Sequence, residues 1–316
     1  MHKSIEVIPA PGPDYALKIR HTISSGWEQW YLLTNDNHWD SPECYLKLLR
    51  RHAKEAKEKN ALWIDGGDFR DVISSRDDPR GSKGTVRPEH VGVNYLDRIV
   101  AGETEEFRPY ADQFVYLGTG NHEQAVTIRK ETDLTNRLIE NLNRLRSKGL
   151  PPIHRAGYTG WIRFMFEQTA KCGRFSMSMK VEHGTGGNSP VTKGVIQTAR
   201  RQARTEGATF FMSGHIHEQW EMPIIVEHLN ESTSRVEQRK VQHIQVASYK
   251  QDFRTDGVGT WAMMKMGTPK AIGGTWLRFY CPNGRDVEWE IRPTWVDYAN
   301  LADYLPKTTV VPEAAA

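Results

Sequence analysis

The chain has 316 residues, 26% of them charged and 38% hydrophobic, with a formal net charge of +3. Aromatic residues make up 10%, including ten tryptophans, and this excludes a mainly disordered chain. The small positive balance excludes the strongly basic composition that announces nucleic-acid binding, and no apolar run is long enough to span a membrane. The first fifteen residues carry no apolar core of a signal peptide. Cys44, Cys172 and Cys281 stand too far apart for a redox or thiolate-metal motif. Reduced thiols in a cytoplasmic protein are the expectation.

In chain order, short apolar runs end in clusters of Asp, Asn, His and Gly. Such runs read as buried strands. Trp30-Tyr31-Leu32-Leu33 leads into Asn35-Asp36-Asn37-His38. Ser41-Pro42 reads as a helix start, with Tyr45, Leu48, Leu49, His52 and Ala56 on one face. That helix leads to the run 61–64 and to Asp65-Gly66-Gly67-Asp68, giving a βαβ unit. Residues 70–112 break the rhythm, and 74–90 read as a long surface loop. The run 114–117 leads into Gly120-Asn121-His122-Glu123, and 134–148 form an amphipathic helix ended by Gly149 and two prolines. The run 177–181 leads into Glu182-His183-Gly184, and a third helix covers 192–206. The run 209–212 leads into Ser213-Gly214-His215-Ile216-His217. A strand at 241–249, a shaped loop at 257–274, and a β-pair at 275–280 and 287–291 complete the chain, with a frayed tail at 307–316.

Strands alternating with helices indicate an α/β sheet, in which ligands bind beyond the carboxyl ends of the strands. Every polar cluster lies at that end of its strand, so the clusters can meet. Imidazole and carboxylate dominate them, a donor set that suits Mn, Fe, Co, Ni or Zn. The candidates are too many for one ion and enough for two.

The order D-x-H, GDxxD, GNHE, H-G, GHxH, over roughly residues 28–250, resembles the calcineurin-like metallophosphoesterase superfamily. The resemblance implies an α/β fold: a four-layer α/β/β/α sandwich of two mixed sheets flanked by helices. It implies two divalent transition-metal ions, Mn first, with Zn, Fe, Ni or Co as alternatives. Asp36, His38 and His217 hold one ion in this reading, and Asn121, His183 and His215 the other. Asp68 bridges them. His122 stands outside as a phosphate-binding or leaving-group acid, Glu123 orients it, and Asp71 gives support. His154 remains an alternative to His183, and Glu123 can equally be an N-terminal helix charge. The implied domains are an N-terminal extension at 1–27, the metallophosphoesterase domain at 28–295 with an insertion at about 70–112, and a tail at 296–316.

The reaction expected is phosphodiester hydrolysis by hydroxide held between the metals, on a phosphoester substrate that includes DNA or RNA. A phosphomonoesterase acting on phosphoproteins or small molecules is the alternative, and a metal-stabilised scaffold the third reading. No membrane partner is expected. Lys193, Arg200, Arg201 and Arg204 read as a solvated face that can also flank the cleft. Arg70, Arg76, Arg80, Lys83 and Arg87 are nearly cancelled by local acids. Trp261, Trp276, Trp289 and Trp295 read as core. Tyr249 and Trp261 are the stacking candidates for a base.

Overall fold

The computed structural model describes residues 5–12, 15–73, 86–168, 173–187, 189–251, 253, 261–264 and 268–295. The tail beyond 295, most of the expected loop at 74–90 with Arg76, Arg80 and Lys83, Cys172, and the side chains of Trp261 and Trp295 lie outside the described residues.

Strands β1 (Ile5–Ile8), β2 (Leu17–Ile23) and β3 (Trp27–Thr34) precede helix α1 (Leu46–Glu58) and strand β4 (Leu62–Asp65). Helix α2 (Tyr95–Phe107), strand β5 (Phe114–Leu117), and helices α3 (Asn121–Lys130) and α4 (Leu134–Leu145) follow. Then come β6 (His154–Arg155), β7 (Thr159–Gln168), β8 (Arg174–Glu182), α5 (Gln197–Arg204) and β9 (Phe210–Ser213). The hairpin β10 (Trp220–Asn230) and β11 (Arg235–Gln245), the short α6 (Trp261–Met264), and β12 (Gly273–Cys281) with β13 (Glu288–Trp295) close the chain.

The strands form two mixed sheets, in the orders β1-β2-β7-β8-β9-β11-β10 and β13-β12-β3-β4-β5-β6. Period-two alternation builds the layers. Tyr31, Leu33 and Ile64, with Phe279 of the same sheet, face the other sheet, where they meet Ile19, Phe164, Met179, Phe210 and Met212. Their neighbours Leu32 and Trp63 face outward against Leu48, Leu49, Ile99, Phe107, Leu138 and Leu142 from α1, α2 and α4. Helices thus flank the pair of sheets, giving the four-layer sandwich expected. No helix among the described residues is long and apolar enough to cross a membrane.

Several boundaries differ from expectation. The first helix starts at Leu46, not at Ser41-Pro42. Residues 41–45 are drawn into other bonds: Tyr45 N–H donates to Tyr249 O, and Cys44 bridges Lys250. The third helix covers only Gln197–Arg204, because Lys193 and Gly194 have positive φ and the chain there packs on Ile216. Strand β11 ends at Gln245, after which Val246 N–H bonds to Ser213 O and Tyr249 N–H to Asp36 O. Its partner β10 escaped the sequence reading. Residues 5–23, expected as part of an extension, supply two strands to the larger sheet. The expected insertion contains α2, which packs on α4.

Candidate metal centre

The ends of β3, β4, β5, β8 and β9 converge. Asp36 N–H donates to Gly67 O, Gly118 N–H to Asp65 O, and Gly214 N–H to His183 O. A bond from His215 N–H to Asp36 Oδ2, 2.6 Å long, ties the two sheets together at this point. The backbone is tightly bent there. Asp36, His38, Asp68, His215 and His217 all have φ between 46° and 71°, a region costly for residues with a Cβ. Two glycines permit the crowding. A Cβ on Gly214 would lie 2.1 Å from Asn35 Cγ, and one on Gly120 would lie 2.0 Å from Asp68 Oδ1.

Three groups of donors result, and within each the ligand atoms lie within 4.8 Å of one another: Asp36, His38 and His217; Asp68, His183 and His215; and His38, Asp68 and His122. Asn121 Oδ1 lies 3.0 Å from His183 Nε2 and 2.8 Å from His215 Nδ1, beside the second group. The seven side chains expected to hold metal are therefore neighbours. His154 is elsewhere, on β6 against Tyr116, so of the two alternatives it is His183 that joins the cluster.

The donors suit a cation. Asp36 Oδ1 is buried without a hydrogen-bond partner. His217 Nε2 lies 3.5 Å from it, and His38 and His183 Nε2 lie 3.9 Å away. His38 Nε2 and His217 Nε2 face each other at 3.2 Å. Buried carboxylate and imidazole lone pairs converging in this way are costly without a positive charge between them. Oxygen and imidazole donors without thiolate match Mn, Fe, Co, Ni or Zn. These close-set His/Asp clusters form a binuclear divalent-metal site of the kind used by metal-dependent hydrolases.

Electrostatics agree. Burial opposes ionisation of Asp68, yet His183 and His122 hold its carboxyl well below the usual range. Burial likewise opposes ionisation of Asp36, and His217 and His183 outweigh it. His183 is pulled down by burial but held up at about 9 by Asp68 and Asp36.

A ring of supporting residues was mostly invisible in the sequence. His183 Nδ1 meets Asn35 Oδ1 at 3.1 Å, which leaves Nε2 toward Asp68 Oδ2 at 3.1 Å. Asp71 Oδ1 lies 2.8 Å from His38 Nδ1 and accepts a bond from Lys250 Nζ at 2.9 Å. Asp65 accepts from Thr34 Oγ1, Asn37 Nδ2 and the Gly67 N–H, and burial pushes its carboxyl up to about 8. Asp40 accepts from the backbone of Asp71 and Val72.

Glu123 has a different set of contacts from that expected. Its carboxylate accepts from the backbone N–H groups of Asp68, Arg70 and Gly120. His122 Nδ1 instead meets the Asp71 carbonyl at 2.5 Å. Glu123 therefore fits the alternative of a charge at a helix N-terminus, where it closes half a capping box. Arg70, read with the nearly cancelled charges of the insertion, is fully buried, with Nε and Nη2 on Glu103 Oε1 at 2.9 and 2.7 Å. Arg201 and Arg204 both pair with Glu182. Tyr249 is no stacking platform: it is fully buried, with its hydroxyl 2.7 Å from His52 Nδ1.

No protein-family model matches the chain, and no curated protein does. Solved structures do. A conserved uncharacterized protein from Streptococcus pneumoniae, described as a predicted phosphoesterase, is 12% identical with a TM-score of 0.30, covering 85% of this chain and 94% of that one. The Plasmodium protein GAP50, described as the anchor in the inner membrane complex, is 10% identical with a TM-score of 0.35, covering 88% and 93%. A candidate 5'-nucleotidase from Staphylococcus aureus, in complex with alpha-ketoglutarate, is 12% identical with a TM-score of 0.39. The match covers 86% of this chain and 55% of that one. In this chain's own structure the two-sheet sandwich and the His/Asp clusters expected from the motifs occur together, the clusters lying at the carboxyl ends of the strands.

Proposed function

We propose that the protein is a metal-dependent phosphoesterase that favours diesters. The observation that carries this reading is the pair of donor groups Asp36, His38, His217 and Asp68, His183, His215 lying side by side, with Asn121 Oδ1 completing the second. In this reading Asp68 serves both groups. Two divalent ions bound there would supply Lewis acidity to the phosphoryl oxygens and a lowered pKa to attacking water. The protein's part is orientation: Asp71 and Asn35 fix the imidazoles of His38 and His183. In the same reading His122 meets the phosphoryl group or the departing oxygen.

The preference for diesters rests on charge. Lys250 is matched by Asp71 and Arg201 by Glu182. Cations already engaged favour a singly charged diester over a doubly charged monoester. DNA and RNA fall within that class.

The test is hydrolysis of bis- and mono-(p-nitrophenyl) phosphate after stripping metals and adding back Mn, Co, Ni, Zn or Mg singly. Metal-restored diester cleavage is expected, with Mn most effective. Asn121→Ala and His215→Ala are expected to abolish it. A wild-type rate in either variant overturns the ligand assignment, and monoester cleavage alone overturns the diester preference.

A further inference from the structure

The two sheets are covered unequally. Helices α1, α2 and α4 pack on the smaller one. On the larger one α5 reaches Glu182 of β8 and His243 of β11, through Arg201 and Gln202. Farther along, on β2, β7 and the first part of β8, the side chains that point away from the core are at least partly open to solvent. The middle of that open face is basic. Lys18 of β2 stands directly opposite Arg163 of β7, which is opposite Ser178 of β8. Like charges directly opposite each other destabilise a sheet, and among the described residues neither cation pairs with a carboxylate. The neighbouring Arg20 is different: it reaches Glu6 Oε2 at 2.5 Å and Glu167 Oε1 at 3.4 Å. Toward the metal centre, Lys180 of β8 is opposite Trp161, with Nζ 5.2 Å from the ring centre and a 2.5 Å bond to Thr159 Oγ1. His183 follows Lys180 by three residues and Ser178 by five. At about 3.3 Å per residue, the two rows of cations stand roughly 10 and 17 Å from His183 along the strand. A small phosphoester held at the metals does not span that distance, whereas a chain of phosphodiesters does.

We propose that this face carries the phosphate backbone of a single nucleic-acid strand toward the metal centre, with Lys18, Arg163 and Lys180 as its contacts. The proposal rests on the phosphodiesterase reading above for what happens to the strand. Phosphates supply the negative charge that Lys18 and Arg163 lack, and their binding releases counterions. Trp161 and Met165, which point to the same side as Arg163, give apolar surface to unpaired bases. Backbone charge and stacking are indifferent to sequence, so this face selects a polymer over a small diester without reading bases.

The test measures binding of a fluorescent phosphorothioate oligothymidylate to the Mn²⁺-loaded full chain by anisotropy, over a series of salt concentrations. The phosphorothioate keeps the backbone charge and slows cleavage. Each phosphate contact on a single strand contributes about 0.7 to the slope of log affinity against log salt. Lys18→Ala combined with Arg163→Ala is therefore expected to flatten the slope by about 1.4. Arg163→Glu changes the charge by the same amount and is expected to weaken binding as much, while its urea midpoint rises because Lys18 then faces a carboxylate. Weaker binding at higher stability separates a lost contact from a damaged fold. An unchanged slope in the double variant overturns the proposal. So does tighter binding to anionic phospholipid vesicles than to the strand, or an affinity for a thymidine dinucleotide equal to that for the strand. Hydrolysis of bis-(p-nitrophenyl) phosphate by the unaltered protein is followed alongside. Its failure overturns the phosphoesterase reading, whereas hydrolysis with an unchanged slope overturns the strand-binding face alone.

Discussion

The residues that carry donor atoms were legible because metal chemistry uses few side-chain types and the glycines beside them mark sharp turns. Asp36, His38, Asp68, Asn121, His183, His215 and His217 stood out for this reason, and they are neighbours in the structure. The residues that aim them were not legible. Asn35, Asp40, Asp65 and Arg70 look like ordinary surface polar residues in a sequence, yet all are buried. Only a partner distant in sequence explains them, as His183 explains Asn35 across 148 positions. Asn35→Ala tests this at the residue scale. Loss of the Nδ1 partner of His183 is expected to weaken metal binding about 10–100-fold while all seven donors remain. Calorimetric titration with Mn²⁺ measures it, and unchanged affinity removes Asn35 from the site.

Elements were legible where their apolar period was clean. β3, β4, β5, β9, α1 and α4 lie close to where alternation and helical spacing put them. Helix α2 was missed because three of its five buried positions are filled by Ile99, Val100 and Phe107 while Glu103 and Thr104 fill the others, which blurs the stripe. Glu103 is there to meet Arg70. The pair joins α2 to the turn after β4, and Arg70 Nη1 also lies 3.4 Å from Thr135 of α4. Leaving one charge of a buried pair alone costs about 3–5 kcal/mol. Glu103→Ala is expected to lower stability by that amount in urea titrations. The double variant Arg70→Met with Glu103→Leu should recover most of the loss. A loss below about 1 kcal/mol in the single variant contradicts this account.

For the whole molecule, the two-layer core was implied by strand alternation and the burial of His52 by its place on the apolar face of α1, but the place of His21 was not. His21 lies between the sheets with Nε2 on the Tyr31 hydroxyl at 2.7 Å, stacked 5.3 Å from Phe166. Burial lowers its pKa from 6.5 to about 3, and lowers that of His52 to about 3 as well. The unfolded chain therefore binds these protons first on acidification. Their contribution is complete above pH 6.5 and is lost as pH falls from 6.5 toward 3. Each unit of difference corresponds to about 1.4 kcal/mol. His21→Phe is expected to be less stable at neutral pH, because the Tyr31 hydroxyl loses its partner, and to lose less stability from pH 6.5 to 4. Urea midpoints across that range measure it, and parallel pH curves contradict it. The Arg70–Glu103 link has one more consequence, for protein engineering and for descent. The segment 70–112 reads as a cassette that could be trimmed to a shorter relative's length. Cutting it at 74 and 112 would take away Arg87 on Ser41, Tyr95 on Asp40 and Glu103 on Arg70 in one stroke. The stump would keep a buried guanidinium two residues from Asp68 that has lost its closest carboxylate and retains Glu123 Oε1 at 3.7 Å. Shortened chimaeras should therefore be more stable when position 70 is changed in the same step, so that deletion and substitution travel together.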